Sequence, residues 1–272
     1  MHSDAYFTGC KAHNVCQDYA RAGKTPLGRV YAVVSDGCSS SPDTDFGSRF
    51  LTMAAVQSID RLKDVDQNVI WRATPPPALM SPYCLDATLI AAFEQQQEDY
   101  DYIAIRGFGD GVVVYKDELH TTVQVYSHPS GAPAYLSYLL DPSRLKFYLS
   151  EGHGKREIEE WKDGNKQQLR EDSVRMEDNK PAGFQWEFNV SRDSKHALDL
   201  VMIMTDGVHS FHRKDDGSPV PFLEVVKHML DIKTFAGEFM SRRAKRFFQN
   251  TCAEMGWVNN DDFGVAAIHL GE

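Results

Sequence analysis

Aspartates recur in five short motifs, most of them where a strand begins or ends. Asp18 follows Gln17, Asp36 lies in Ser35-Asp36-Gly37, Asp110 in Gly109-Asp110-Gly111, Asp206 in Thr205-Asp206-Gly207, and Asp261-Asp262 follow Asn260. A single Asp-Gly pair is an ordinary turn, because Asp tolerates the left-handed region and Gly supplies positive φ. Several carboxylates at the ends of adjacent central strands would instead converge on one spot, repel one another and raise their own pKa values. A bound divalent cation removes that penalty. With no His or Cys in the set, the oxygen donors suit a hard ion such as magnesium or manganese. A glycine beside the aspartate also lets its backbone carbonyl approach a metal.

The elements that must position these residues can be read from hydrophobic patterning. Arg29 to Val34 is an apolar, β-branched run that ends at Ser35-Asp36-Gly37, the pattern of a buried strand. Phe50, Leu51, Ala54, Ala55 and Ile59 recur at helical spacing within a helix expected from Phe46 to about Leu62. Three prolines at 75–77 break the chain. Cys84 to Phe93, Tyr102 to Tyr115 and Thr121 to Tyr126 read as strands, with a tight turn at Gly107–Gly111 inside the second. Residues 141–183 are polar and irregular and are expected to form a mobile surface insertion with a short helix. Strands are expected again at Phe184 to Val190, Leu198 to Met204 and Phe263 to Leu270, and helices near Phe222–Asp231 and Ala236–Met255. So many hairpin-linked strands fit an α+β domain with stacked sheets better than a doubly wound parallel sheet.

Composition narrows the function classes. The chain has 272 residues, a net charge of −10 and 42% hydrophobic residues, an ordinary globular balance. An acidic surface does not suit nucleic acid, which is gripped by Lys and Arg. No apolar run is long enough to span a bilayer, and Met1–Cys10 lacks the basic and apolar regions of a secretory signal. The five cysteines, Cys10, Cys16, Cys38, Cys84 and Cys252, include no Cys-x-x-Cys pair; reduced thiols in a cytoplasmic protein are expected. His209 and His212 have metal-ligand spacing but no further ligand nearby in the chain. The basic run Arg242, Arg243, Lys245, Arg246 reads as a solvated helix face.

The order of acidic motifs resembles that of the metal-dependent protein phosphatases of type 2C, over about residues 5 to 270. The resemblance implies a single domain over residues 1–272, a four-layer α-β-β-α sandwich of two antiparallel sheets flanked by helices, with two Mn2+ or Mg2+ ions at one end. Carried over residue by residue, Asp36 would bridge both ions, the Gly37 carbonyl would bind one, and Asp206 and Asp261 would complete one ion's shell. Asp18 matches the family's N-terminal acid, which acts through water, and Asp110 matches an acid associated with a weaker third ion. Residues 141–183 occupy the place of the family's variable flap. Paired ions about 3.5–4 Å apart generate a water nucleophile and hold the phosphoryl oxygens during in-line attack, so no protein nucleophile is expected. The implied substrate is a phosphoserine or phosphothreonine protein, and the chain is expected to act as a monomer without nucleic acid or membrane.

Three positions depart from the family pattern. Cys38 stands where many members have a histidine after Asp-Gly, His13 stands where a phosphate-gripping arginine is common, and Leu85-Asp86-Ala87-Thr88 replaces a Gly-Ser/Thr-Thr stretch. His13 remains the candidate phosphate contact. Cys38 reads as a small buried thiol rather than a nucleophile. Two further readings stay open: a non-catalytic binding or regulatory module of the same fold, and a phosphatase of small phosphate esters.

Overall fold

The computed structural model describes residues 1–73, 80–96, 101–178, 180–191 and 198–271; the expected break at prolines 75–77 lies outside them. The strands run β1 (His2–Thr8), β2 (Tyr19–Lys24), β3 (Val30–Ser35), β4 (Leu89–Gln96), β5 (Asp101–Phe108), β6 (Gly111–Lys116), β7 (Thr121–Ser127) and β8 (Lys155–Lys162). They continue as β9 (Asn165–Ser173), β10 (Arg175–Glu177), β11 (Lys180–Ala182), β12 (Gln185–Ser191), β13 (Leu200–Met204), β14 (Phe211–Arg213), β15 (Trp257–Asn259) and β16 (Phe263–His269). The helices are α1 (Thr44–Leu62), α2 (Val69–Ala73), α3 (Pro142–Ser150), α4 (Phe222–Leu230), α5 (Phe239–Arg246) and α6 (Cys252–Met255).

Two large sheets, every pairing antiparallel, form the centre. One has the order β1-β16-β13-β6-β7-β8-β9 and the other β12-β5-β4-β3-β2. Period-two alternation along each strand sorts side chains into three apolar layers. Val30, Ala32 and Val34 of β3 meet Val201 and Ile203 of β13 between the sheets. Tyr31 and Val33 face the other way, onto Leu51, Ala55 and Ile59 of α1. On the far side, Leu200, Met202 and Met204 of β13 pack against Val225 and Met229 of α4 and Met240 of α5. The result is the expected α-β-β-α sandwich. A central strand buried on both faces needs no polar alternation, which is why β13 is apolar throughout.

The structure differs from the sequence pattern in several places. The strand expected from Cys84 begins at Leu89, because Pro82–Leu85 form a 3-10 turn that Ser81 caps by accepting from the Tyr83 amide. The 141–183 segment is built rather than irregular. Asp141 caps α3 by accepting from the Ser143 and Arg144 amides, and β8 and β9 extend the first sheet past β7. Most of β9 is exposed, so it carries no apolar stripe for patterning to find. The helix expected over 236–255 begins at Phe239, passes through a π-helical turn at Phe247–Thr251 and ends at Gly256, with φ 65°. Arg243 is buried rather than solvated, and its guanidinium donates to the His228 carbonyl.

Candidate functional site

The acidic motifs come from both sheets and meet at one end of the sandwich. Asp36 follows β3 of the second sheet, Asp206 follows β13 of the first, and Asp110 occupies the link from β5 to β6, where the chain changes sheet. That link is Gly109-Asp110, and Gly111 opens β6; φ is 82° at Gly109 and 137° at Gly111, conformations that glycine adopts at little cost.

The Asp36 segment is laced to the chain before β4. The Asp36 amide donates to Thr88 Oγ1 at 3.1 Å, the Thr88 amide donates to the Asp36 carbonyl at 2.8 Å, and the Cys38 amide donates to the Asp86 carbonyl at 2.8 Å. Neither Gly37 nor Gly207 has positive φ. Each is a point of close approach instead. A Cβ on Gly37 would lie 2.8 Å from Thr44 at the start of α1, and one on Gly207 would lie 1.8 Å from the Asp262 carbonyl oxygen. The turn bearing Asp206 is thus pressed directly onto the turn bearing Asp261 and Asp262.

Carboxylate oxygens of Asp36, Asp110 and Asp206 all lie within 4.8 Å of one another. Asp18, buried, hydrogen-bonds Asp36 and accepts from Thr205 Oγ1 at 2.5 Å. Thr205 Oγ1 in turn accepts from the Gly264 amide at 2.9 Å, which holds the hydroxyl toward Asp18. Burial drives every carboxyl here upward. Asp18 is pushed up to about 7, with the charges of Asp206 and Asp262 adding to burial. Asp206 reaches about 6 through burial and then Asp261. Asp36 rises well above the usual range through burial, Asp18 and Asp206, and Asp110 rises through burial and Asp206. Asp261 is raised by burial and sits at the outer edge, its side chain 41% exposed.

Among the described residues no Lys or Arg forms an ion pair with Asp18, Asp36, Asp110 or Asp206. Asp110 Oδ1 is buried with no hydrogen-bond partner. An unpaired, buried carboxylate oxygen costs several kcal/mol unless something cationic meets it. The all-oxygen donor set and this orphaned atom fit a hard divalent cation.

His13 does not join the trio. Its Nδ1 lies 3.0 Å from Asp262 Oδ2 and 3.9 Å from Asp261 Oδ1. Asp262 is buried and also accepts from the Cys10 amide at 2.8 Å and the Gln17 amide at 2.7 Å, so it ties the loop before Asp18 to the start of β16. Cys38 is half-buried rather than buried, with Sγ 3.1 Å from Ser40 Oγ. Residues that patterning does not single out support the site. Buried Asp86 takes a two-pronged ion pair from Arg144 of α3, at 3.1 and 2.9 Å, and hydrogen bonds from the Ser41 and Ser137 hydroxyls. Trp186 Nε1 donates to the Gly109 carbonyl at 3.0 Å and steadies the Asp110 turn. These partners are far apart in sequence, and no local motif announces them.

A four-layer sandwich with aspartates from both sheets gathered at one end defines a class of carboxylate-bearing α+β domains. The chain belongs to the protein phosphatase 2C family, whose profile matches residues 10–247. No curated relative matches the chain. Among solved structures, a bacterial serine phosphatase is similar at TM-score 0.57 and 10% identity, over 100% of this chain and 98% of that one. The serine/threonine phosphatase Stp1 from Staphylococcus aureus is similar at TM-score 0.57 and 9% identity, over 100% and 96%. The phosphatase domain with a fragment of the regulatory domain of the cell fate determinant SpoIIE from Bacillus subtilis is similar at TM-score 0.51 and 12% identity, over 99% of this chain and 63% of that one.

Proposed function

We propose that the chain is a metal-dependent serine/threonine phosphoprotein phosphatase that works with two Mn2+ or Mg2+ ions. Family membership supports the reaction class, and the convergence of Asp36, Asp110 and Asp206 around an orphaned Asp110 oxygen is the observation that carries it. Asp36, the Gly37 carbonyl, Asp206 and Asp261 hold the ions in this reading, Asp18 contributes from behind Asp36, and Asp110 serves a third. Ions bound there supply an activated water and offset the charge that builds on the leaving oxygen.

The chain's own residues do the positioning. Thr205 fixes Asp18 in place, Thr88 fixes the Asp36 backbone, and the Gly207–Asp262 contact sets the spacing between Asp206 and Asp261. His13 has Nδ1 engaged by Asp262, so Nε2 is the ring atom left to meet a substrate phosphate. The 141–183 segment takes the role of a substrate-selecting flap, and Arg144 joins it to Asp86 before β4, which in turn accepts from Ser41 in the loop that follows Asp36.

Hydrolysis of a phosphothreonine peptide and of p-nitrophenyl phosphate, with manganese, magnesium or chelator, tests the reading. Manganese-dependent turnover that Asp206→Asn abolishes is the expected result. Cys38 and His13 at the family's His and Arg positions favour a second reading, a non-catalytic module. Manganese binding by calorimetry without turnover of any phosphoester would establish that module instead, and turnover confined to small esters would move the substrate class.

A further inference from the structure

A second group of metal-type donors lies outside the aspartate trio. Cys10, His13 and Asp262 each offer a ligand atom within 4.8 Å of the others. Cys10 and His13 belong to a Cys-x2-His-x2-Cys run that ends at Cys16, and the fold brings Asp262 to it from 249 residues beyond His13. Unlike the trio, this group mixes thiol, imidazole and carboxylate, a donor set that suits zinc rather than magnesium.

The geometry is that of a clasp. His13 Nδ1 and Asp262 Oδ2 are 3.0 Å apart, close to the roughly 3.3 Å between two donors on one tetrahedral zinc with bonds of about 2.0–2.1 Å. The Cys10 and Gln17 amides hold the two Asp262 oxygens in place, as ligating carboxylates are commonly held by a second set of hydrogen bonds. Cys10 and His13 are half-buried, and a surface cavity of about 420 Å³ that reaches Cys10 gives an approach from solvent. Cys16 Sγ, now donating to the Asp18 carbonyl at 3.4 Å, is the nearby thiol in the same loop.

We propose that Cys10, His13 and Asp262 form a zinc site, separate from the aspartate centre, that clasps the 10–17 loop to the start of β16. Zinc replaces the His13–Asp262 hydrogen bond and takes the Cys10 thiolate, so binding releases the thiol proton to solvent. Water fills the fourth position, and Cys10 is the one thiolate in the set. Because the loop runs into Asp18 and the anchor adjoins Asp261, the clasp fixes both ends of the acidic edge.

The test uses the full chain, reduced and stripped of metal, titrated with Co2+ and then with Zn2+. A thiolate-to-cobalt charge-transfer band that saturates at one equivalent and is displaced by equimolar Zn2+ is expected. The band should persist in Asp206→Asn, because oxygen donors alone cannot produce it, and this separates the clasp from the proposed phosphatase centre. Cys10→Ser should abolish the band, His13→Gln should weaken Co2+ binding at least about tenfold, and Cys252→Ser should leave both unchanged. Absence of the band in the wild type, or its survival in a folded Cys10→Ser protein, overturns the proposal. If Cys10→Ser does not fold, an unchanged Co2+ affinity in His13→Gln overturns it equally.

Discussion

The crowded carboxylates make the metal-free protein less stable at neutral pH than they would allow at mildly acidic pH, and Asp206→Asn should relieve part of that strain. Burial and the Asp261 charge push Asp206 up to about 6, and burial pushes Asp18 up to about 7, against about 3.9 for an unfolded aspartate. Between roughly pH 4 and 7 the folded chain therefore holds more protons than the unfolded chain, and unfolding free energy falls as pH rises through that window. About two pKa units for Asp206 correspond to on the order of 3 kcal/mol, and the neighbouring carboxyls share protons, so their contributions do not add. An asparagine at this position carries no charge at any pH. In chelator at about pH 8, Asp206→Asn should gain about 1–3 kcal/mol over wild type relative to its standing near pH 4.5, with roughly 2–4 °C of Tm per kcal/mol. Comparing the two proteins cancels groups common to both, such as His128, which burial pushes down to about 4 and whose effect has the opposite sign. Scanning calorimetry at both pH values, with chelator and then with saturating Mn2+, reads the effect. Manganese should reverse the order at pH 8 by stabilising wild type more than the variant. A metal-free variant that stands no better against wild type at pH 8 than at pH 4.5 would refute the electrostatic account.

Two further substitutions probe the support around the site. Arg144→Ala leaves Asp86, 3% exposed at its side chain, as an uncompensated buried carboxylate, so a loss of about 3–5 kcal/mol is expected in urea unfolding; a loss under about 1 kcal/mol would place the ion pair among the weak surface kind. Gly207→Ala sets a methyl 1.8 Å from the Asp262 carbonyl oxygen and must spread the Asp206 and Asp261 turns. Stability should fall by about 1–3 kcal/mol and Mn2+ affinity by at least about tenfold by calorimetry, whereas Gly164→Ala, where a Cβ meets nothing within 4 Å, should leave Mn2+ affinity unchanged.

The central layers were legible because burial on both faces leaves a direct record in composition. The apolar runs at β3 and β13 and the helical spacing of Leu51, Ala54, Ala55 and Ile59 on α1 correspond to buried side chains. The strands at the margins left a weaker record. His2–Thr8 is half-buried along nearly its whole length, and β9 faces water with Lys166, Gln167, Gln168 and Arg170, so neither carries the contrast that patterning reads. The buried cation Arg156 on β8 is hidden for the same reason: its partner Asp172 is on β9, and only the pairing of the two strands brings them together.

The acidic motifs were legible as a set, yet the reason for their glycines was only half visible. Positive φ explains Gly109 and Gly111, as Asp-Gly chemistry suggests. At Gly37 and Gly207 the requirement is the proximity of Thr44 and of the Asp262 backbone, which are distant in sequence and depend on the finished packing. The pair Asp261-Asp262 makes the same point about side chains. The two stand in the bend just before β16, where one aspartate turns inward to hold the Cys10 and Gln17 amides while its neighbour stays at the acidic edge beside Asp206. Which of the two does which is set by the register of β16 against β13 and β1, Phe263 pairing with Thr8 and Val265 with Met204. A one-residue slip would carry Asp261 into the loop contact and bring Asn260 to the edge in its place. The division of labour between two chemically identical side chains is therefore a property of sheet register, and the sequence motif alone could only mark the pair.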